Sequence, residues 1–301
     1  SNNNGLSSQQ SIGFANLVSG TYIIHVEDAG GCVTRDTTEI INPDVIEIDT
    51  VIFSNISCYN QNDGNIQSIN VTGGTPPFEY SVNGGIQYSN TAYFNNYGPG
   101  TYTVEVSDLY NCTGQNIIII DQPNELEVEI TTSVWNSYQI QCNGDNSGWA
   151  DFAINGGVTP YVKTCLDING DTITSGSSSL ITGLTAGTYT FIVMDGNGCT
   201  YTENIVYNEP SLILHNFVAT HVSCSGWNNG SLTDIVSGGV GNSSSYTYAW
   251  NTGDSTYSIT ELTIGNYSIT VTDENNCNST SSYIINDNNA LSASSTTGLR
   301  S

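Results

Sequence analysis

Basic residues are nearly missing from this chain of 301. Three Lys and Arg stand against 28 Asp and Glu, a formal net charge of −25. Phosphate backbones and anionic lipid surfaces are gripped by clustered Lys and Arg, so the balance excludes nucleic acid as a partner and disfavours an anionic membrane. Charge of either sign is scarce, at 10% of residues. No apolar run approaches the about 18 residues a spanning helix needs, so no membrane insertion is expected. No signal peptide opens the chain, and residue 1 falls inside a repeat, so the sequence reads as an internal piece of something longer. Helical periodicity of useful length is absent. Only three His occur, His25, His215 and His221, and no Ser/Asp or Cys arrangement recurs with them. No catalytic residue is expected.

What is present is repetition. The stretch Gly100-Thr-Tyr-Thr-Val-Glu-Val-Ser-Asp108, closed by Asn111-Cys112, recurs as Gly20 to Cys32, Gly187 to Cys199 and Gly265 to Cys277. Tyr stands ten residues before Cys in every copy: Tyr22 and Cys32, Tyr102 and Cys112, Tyr189 and Cys199, Tyr267 and Cys277. A period near 80 residues is one small domain, so the chain is a domain array. Within each copy, apolar residues alternate with polar ones, as Tyr102/Val104/Val106 do with Thr103/Glu105/Ser107, the pattern of a half-buried strand. The residues before each Cys are turn chemistry able to take positive φ. Apolar pairs six and three residues before each Gly (Phe14/Leu17, Phe94/Tyr97, Ile181/Leu184, Ile259/Leu262) read as core plugs leading into the strand.

The first half of each unit repeats as well. Cys58, Cys142 and Cys224 are each followed six residues on by Gly64, Gly148 and Gly230, then by Gly73-Gly74, Gly156-Gly157 and Gly238-Gly239. Short polar junctions ending in Pro43, Pro123 and Pro210 divide the chain into a partial repeat (1–43), three full units (44–123, 124–210, 211–289) and a linker or tail (290–301). Junctions this short predict stiff stacking rather than beads on a string. Several short strands and about 80 residues per unit predict an all-β tandem array of immunoglobulin-like sandwiches.

Each full unit has one Cys near its start and one at the late turn. The spacing pairs Cys58 with Cys112, Cys142 with Cys199 and Cys224 with Cys277, one internal disulfide per domain, in an oxidising compartment. Each closure contributes about 4 kcal/mol on a chain-entropy account. Zinc is the rival reading, but its ligands come in close CxxC pairs and none occur. Cys32 and Cys165 are left unpaired in this fragment, Cys165 as a buried inert thiol on a core strand.

The Gly73-Gly-Thr-Pro-Pro77 stretch joined to Gly100–Asp108 and the closing Asn111-Cys112 resembles the SprB repeat family, as does Leu184-Thr-Ala-Gly-Thr-Tyr-Thr190 with Asp195-Gly-Asn-Gly-Cys199. The resemblance runs over about residues 10–290, and the third unit departs from it by lacking the prolines after Gly238-Gly239. It implies a secreted, extracellular surface protein of Bacteroidetes, exported by type IX secretion and associated with gliding machinery through its parent protein. It supplies no catalytic residues.

The leading expectation is therefore a non-enzymatic segment of a surface adhesin or filament, a disulfide-braced spacer and adhesive stalk. Its expected partners are an extracellular surface or polysaccharide and neighbouring repeats of the same chain. The alternative is a carbohydrate-binding array using Trp149, Trp227 and Tyr59, since aromatics on a sandwich rim stack on sugars; more often they cover the end of a core. Thr37, Thr50, Thr172 and Ser255 follow Asp in a context similar to the Bacteroidetes O-glycosylation motif. No cofactor is expected, calcium being the one weak candidate: Asp167-Ile-Asn-Gly-Asp171 resembles half a calcium loop but reads as a hairpin turn.

Overall fold

The computed structural model describes residues 13–287. The tail expected at 290–301 lies outside the described residues. The chain divides between Pro123 and Asn124 into two compact units.

The first unit opens with an antiparallel strand pair, β1 (Gly20–Glu27) and β2 (Val33–Ile40). One sandwich follows, built from β3 (Glu47–Ser54), β4 (Gly64–Thr72), β5 (Glu79–Ser81), β6 (Phe94–Tyr97), β7 (Gly100–Ser107) and β8 (Thr113–Ile120). Sheets β3-β4-β6 and β5-β7-β8 enclose Ile66, Ile69, Val104, Val106 and Ile118.

The second unit holds two such sandwiches. The first has β9 (Glu127–Thr132), β10 (Gly148–Asn155), β11 (Val162–Leu166), β12 (Thr172–Gly176), β13 (Leu180–Leu184), β14 (Gly187–Met194) and β15 (Thr200–Tyr207), in sheets β13-β10-β9 and β12-β11-β14-β15. The second has β16 (Ser211–Thr220), β17 (Gly230–Gly239), β18 (Thr247–Trp250), β19 (Ser258–Leu262), β20 (Gly265–Thr272) and β21 (Asn278–Ile285), in sheets β16-β17-β19 and β18-β20-β21. Phe191 and Ile269 lie at the centres of their cores, each on the strand that begins at the repeated Tyr. Two antiparallel sheets face to face over a core of alternating apolar residues make this an all-β tandem array of immunoglobulin-like domains.

The repeated Tyr owes its position to a hydrogen bond as well as to packing. Its hydroxyl donates to the carbonyl four residues upstream in every copy: Tyr22 to Val18 (2.6 Å), Tyr102 to Gly98 (2.9 Å), Tyr189 to Thr185 (3.1 Å) and Tyr267 to Thr263 (3.0 Å). This is a tyrosine corner, which pins the bend leading into the strand. The expected core plugs are themselves a strand: β6, β13 and β19 pair with β4, β10 and β17 through an irregular register. The residue before the last plug has positive φ each time, at Asn96 (63°), Gly183 (80°) and Glu261 (58°). Phe14 departs from the expectation. It is exposed, like Ile24 and Val26 on β1, because β1 and β2 face no second sheet among the described residues.

The first glycine of each Gly-Gly pair is fixed by close approach. A Cβ on Gly156 (φ 69°) falls 1.7 Å from the Glu125 carbonyl oxygen; at Gly73 and Gly238 the same clash is 2.0 Å. Gly156→Ala therefore forces the chain apart where β9 begins and is expected to cost the second sandwich more than about 2 kcal/mol. Gly176→Ala, with open space around its Cβ, serves as the near-neutral control. Chemical denaturation of the two variants checks the pair. On the opposite side, Glu261→Asn relieves a left-handed backbone and is expected to stabilise the third sandwich by about 1 kcal/mol.

Candidate functional site: clamped turns and a stapled junction

One Asp organises each cysteine-bearing turn. Asp273 Oδ1 accepts the N–H groups of Asn275 and Cys277 (both 2.9 Å), while Oδ2 accepts Val240 N–H (2.8 Å), just past Gly238-Gly239. Asp195 repeats this with Asn197 (2.9 Å), Cys199 (2.8 Å) and Val158 (2.9 Å), and Asp108 with Tyr110 (2.9 Å), Cys112 (2.9 Å) and Thr75 (3.0 Å). The residue before each Cys takes positive φ: Asn111 at 62°, Gly198 at 87°, Asn276 at 64°. In the second and third sandwiches the second glycine of the pair leaves room for this contact, since a Cβ on Gly157 or Gly239 meets the Asp oxygen at 2.9 or 2.8 Å. Each Cys is thereby presented at a fixed place on the pole where its sandwich begins. Burial works against ionisation of Asp108, but the donated N–H groups of Thr75, Cys112 and Tyr110 outweigh it and hold the carboxyl below its ordinary range.

The opening cysteines sit at the other pole. Ile140 N–H donates to Asn208 O (3.1 Å), which holds the segment leading to Cys142 against the far end of β15. Ile56 to Asp121 (2.9 Å) and Val222 to Asn286 (3.0 Å) do the same for Cys58 and Cys224. Between the two cysteines of one sandwich therefore lies a full strand of 8 residues, about 26 Å. A disulfide needs Cα atoms within about 7 Å.

The internal pairing expected from spacing is overturned on that ground. Cys142 bonds Cys277 of the next sandwich, at a Cα–Cα distance of 5.6 Å and a sequence separation of 135, not Cys199. Cys112 and Cys224 are free thiols, so neither Cys58–Cys112 nor Cys224–Cys277 exists. Cys58 and Cys199 are each disulfide-bonded as well. Cys32 is free and exposed. Cys165 is free and buried in the second core, and burial pushes its thiol up to about 11.

Around the Cys142–Cys277 bond the two sandwiches interlock through amides. Gln141 Nε2 donates to Asn275 O (2.9 Å), and Asn275 Nδ2 donates back to Gln141 O (3.0 Å). Asn136 Nδ2 donates to Asn275 Oδ1. Asn275 is 5% exposed. The linker is gripped as well: Asn143 Nδ2 donates to Glu209 Oε1 (3.1 Å) and Pro210 O (3.0 Å), and Gly144 N–H to Glu209 Oε2 (2.6 Å). Sequence reasoning missed these residues. The available signals were Asn two positions before Cys199 and Cys277, and a Gln or Glu before the junction prolines at Gln122 and Glu209.

The other candidates lie apart. Trp149 is half-buried at the start of β10, where its carbonyl accepts the Tyr207 hydroxyl (2.9 Å). Trp227 and Tyr59 are exposed on the loops after Cys224 and Cys58, at positions not equivalent to Trp149 or to each other. Thr37, Thr50, Thr172 and Ser255 are all exposed. Asp167–Asp171 forms the hairpin between β11 and β12; Asp167 Oδ1 accepts Asn169 N–H (2.9 Å) and Asp171 N–H (2.8 Å). Among the described residues, no group of three His, Cys, Asp or Glu is placed to hold a metal ion.

Two substitutions test this pairing, and the second of them separates it from an internal one. Cys277→Ser should destabilise the third sandwich by up to about 4 kcal/mol, because the bond pins both ends of Ser211–Cys277 to the second sandwich when that segment unfolds. Cys112→Ser should leave the first sandwich unchanged, as denaturant titrations with intact disulfides will read. For Asp108, the folded carboxyl lies below the ordinary 3.8. Its contribution is present above that value and lost as pH falls through the lower folded one, so Asp108→Asn should flatten the acid limb of the first sandwich's stability curve.

No curated protein matches the chain. Among solved structures, three domains of the bacteriophage RB49 outer capsid protein Hoc align at 13% identity and TM-score 0.36, covering 79% of this chain and 97% of that one. Titin domains I67–I69 align at 12% identity and TM-score 0.36, over 82% and 99% of the two chains. Invasin, a bacterial integrin-binding protein, aligns at 14% identity and TM-score 0.33, over 89% and 65%. The SprB repeat family matches residues 50–86 and 216–255, across the opening Cys and Gly-Gly positions of the first and third sandwiches.

Proposed function

We propose that this segment is a non-enzymatic, load-bearing stalk of a secreted surface adhesin, with junctions locked by disulfides. The observation that carries it is the Cys142–Cys277 bond between consecutive sandwiches. Tension entering at β9 and leaving past β21 crosses that bond directly and bypasses the chain between the two cysteines. With a separation of 135, the bypassed chain amounts to roughly 450 Å when extended. A spacer that must transmit force gains from withholding that length. Tandem sandwiches and SprB repeats, which occur in cell-surface proteins, support an adhesin-like stalk. Gliding, export by type IX secretion and contact with an external polysaccharide belong to the same proposal through the parent protein.

Single-molecule pulling of the oxidised chain tests it. Pulled between handles attached at the start of β9 and just past β21, the oxidised chain should release a short contour length, and Cys277→Ser an additional length of roughly 450 Å. Equal lengths for the two would defeat the load-bypass reading. Saturable binding of a polysaccharide that is lost in Trp227→Ala would favour the carbohydrate-binding alternative instead.

A further inference from the structure

The second sandwich departs from the other two at one place. Lys163 on β11 pairs with Val193, where the first and third sandwiches pair Tyr80 with Val106 and Tyr248 with Val271. Among the described residues, this sandwich alone gains a fourth strand in that sheet, β12, laid against β11. Lys163 is the single lysine of the chain and is 7% exposed. Its ammonium donates to Ser177 O (2.8 Å), just past β12, and among the described residues it meets no carboxylate. An ammonium carries three donors, and burying one without a counter-ion is costly. A Tyr covers the same position elsewhere without that cost, so covering the core does not account for the lysine. Its remaining donors stand beside a cavity of about 420 Å³ that Lys163 lines. Gly176 is opposite Lys163 in the β11–β12 register, so the two positions share a face. A Cβ at Gly176 meets nothing within 4 Å, which leaves the flank of Lys163 open. Ser177, Thr182 and the exposed Ile173 and Leu180 line the cavity too.

We propose that the Lys163 cavity binds a carboxylate-bearing sugar, a hexuronate residue of an external glycan. The carboxylate supplies the charge that the ammonium lacks, through a charge-assisted hydrogen bond stronger than a neutral one. The hydroxyls of Ser177 and Thr182 suit ring hydroxyls, and Ile173 and Leu180 suit the C–H face of a pyranose. Small-ligand sites of about 300–1,000 Å³ combine apolar walls with a few polar groups in this way. One cation answers one carboxylate. The net charge of −25 repels a polyanion, and screening confines that repulsion to about 8 Å at physiological salt. A single acidic residue therefore fits the site better than a densely sulfated chain. The proposal rests on the adhesin reading only in taking its ligand from a glycan. Load bypass concerns the Cys142–Cys277 bond, so binding and pulling fail separately.

Isotope-labelled lysine gives the full chain an NMR signal from Lys163 alone, and that signal is the readout. Glucuronate, glucose and acetate are titrated in turn. The expected result is a saturable shift with glucuronate, at least about tenfold tighter than with glucose or acetate. Lys163→Met should abolish glucuronate binding read by calorimetry, but it also leaves Ser177 O without its donor. Gly176→Leu is the deciding variant, because it keeps Lys163 and places a side chain beside it on an exposed edge strand. It should abolish the glucuronate shift while thermal unfolding stays unchanged. No saturable shift with glucuronate overturns the proposal. Equal affinity for acetate overturns the sugar, and equal affinity for glucose overturns the role of the ammonium. Unchanged glucuronate affinity in Gly176→Leu puts the binding outside the cavity and overturns the site.

Discussion

The carboxylate of the turn Asp is the constraint from which the rest of each repeat follows. With three N–H donors on two oxygens, it joins the Gly-Gly loop at the start of a sandwich to the turn between its last two strands. Those segments are far apart in sequence: Val240 and Asp273 in the third sandwich, Val158 and Asp195 in the second. A charge-assisted contact is stronger than a neutral one and leaves few rotamers open. It therefore fixes the Cys four residues past the Asp at the same place in every copy. Any bond that this Cys forms inherits the register. The partial repeat makes the point by subtraction: Asp28 keeps its two local donors although β1 and β2 face no second sheet among the described residues.

Much of the fold was legible because its signals are local or periodic. Alternation at Tyr189, Phe191 and Val193 predicted an inward face, and all three are buried. The recurring Gly-x-Tyr predicted a strand start, and the corner hydrogen bond explains why Tyr rather than another apolar residue stands there. Other signals were read in part. Ile181 and Leu184 were recognised as core residues but not as a strand, because a positive-φ residue at Gly183 breaks the period-2 pattern. Glu105 belongs to the polar phase of β7 yet is buried, because Tyr88 and Gln115 reach over from elsewhere and donate to its carboxylate. That donation also pushes the Tyr88 hydroxyl up to about 12.

The disulfides were misassigned for an instructive reason. Equal spacing within each unit is equally consistent with bonds inside units and bonds between neighbours, since shifting every pair by one unit preserves the regularity. Pole assignment decides the matter, and it depends on direction. An antiparallel sandwich in which one strand runs the full length after the turn Cys must place that Cys and the opening Cys at opposite ends. The information was present in the chain, in the eight residues of β15 between Cys199 and Asn208. It becomes decisive only once those residues are known to form a single uninterrupted strand.

A bond between domains also does more than a bond inside one. An internal disulfide restrains only its own sandwich and leaves the linker as the weakest joint. The Cys142–Cys277 bond makes the junction a closed cycle, with the linker at Asn208–Pro210 as one arm and the disulfide as the other. Two covalent arms resist hinge bending where one permits it. The amide pair Gln141–Asn275 lies in the same interface and gains from that restraint, because two groups already held in place lose little entropy on bonding. The buried Asn275 side chain has its partners only while the junction is closed. Opening the junction would strip an amide of its protein partners, so the polar interlock and the covalent one favour the same closed geometry.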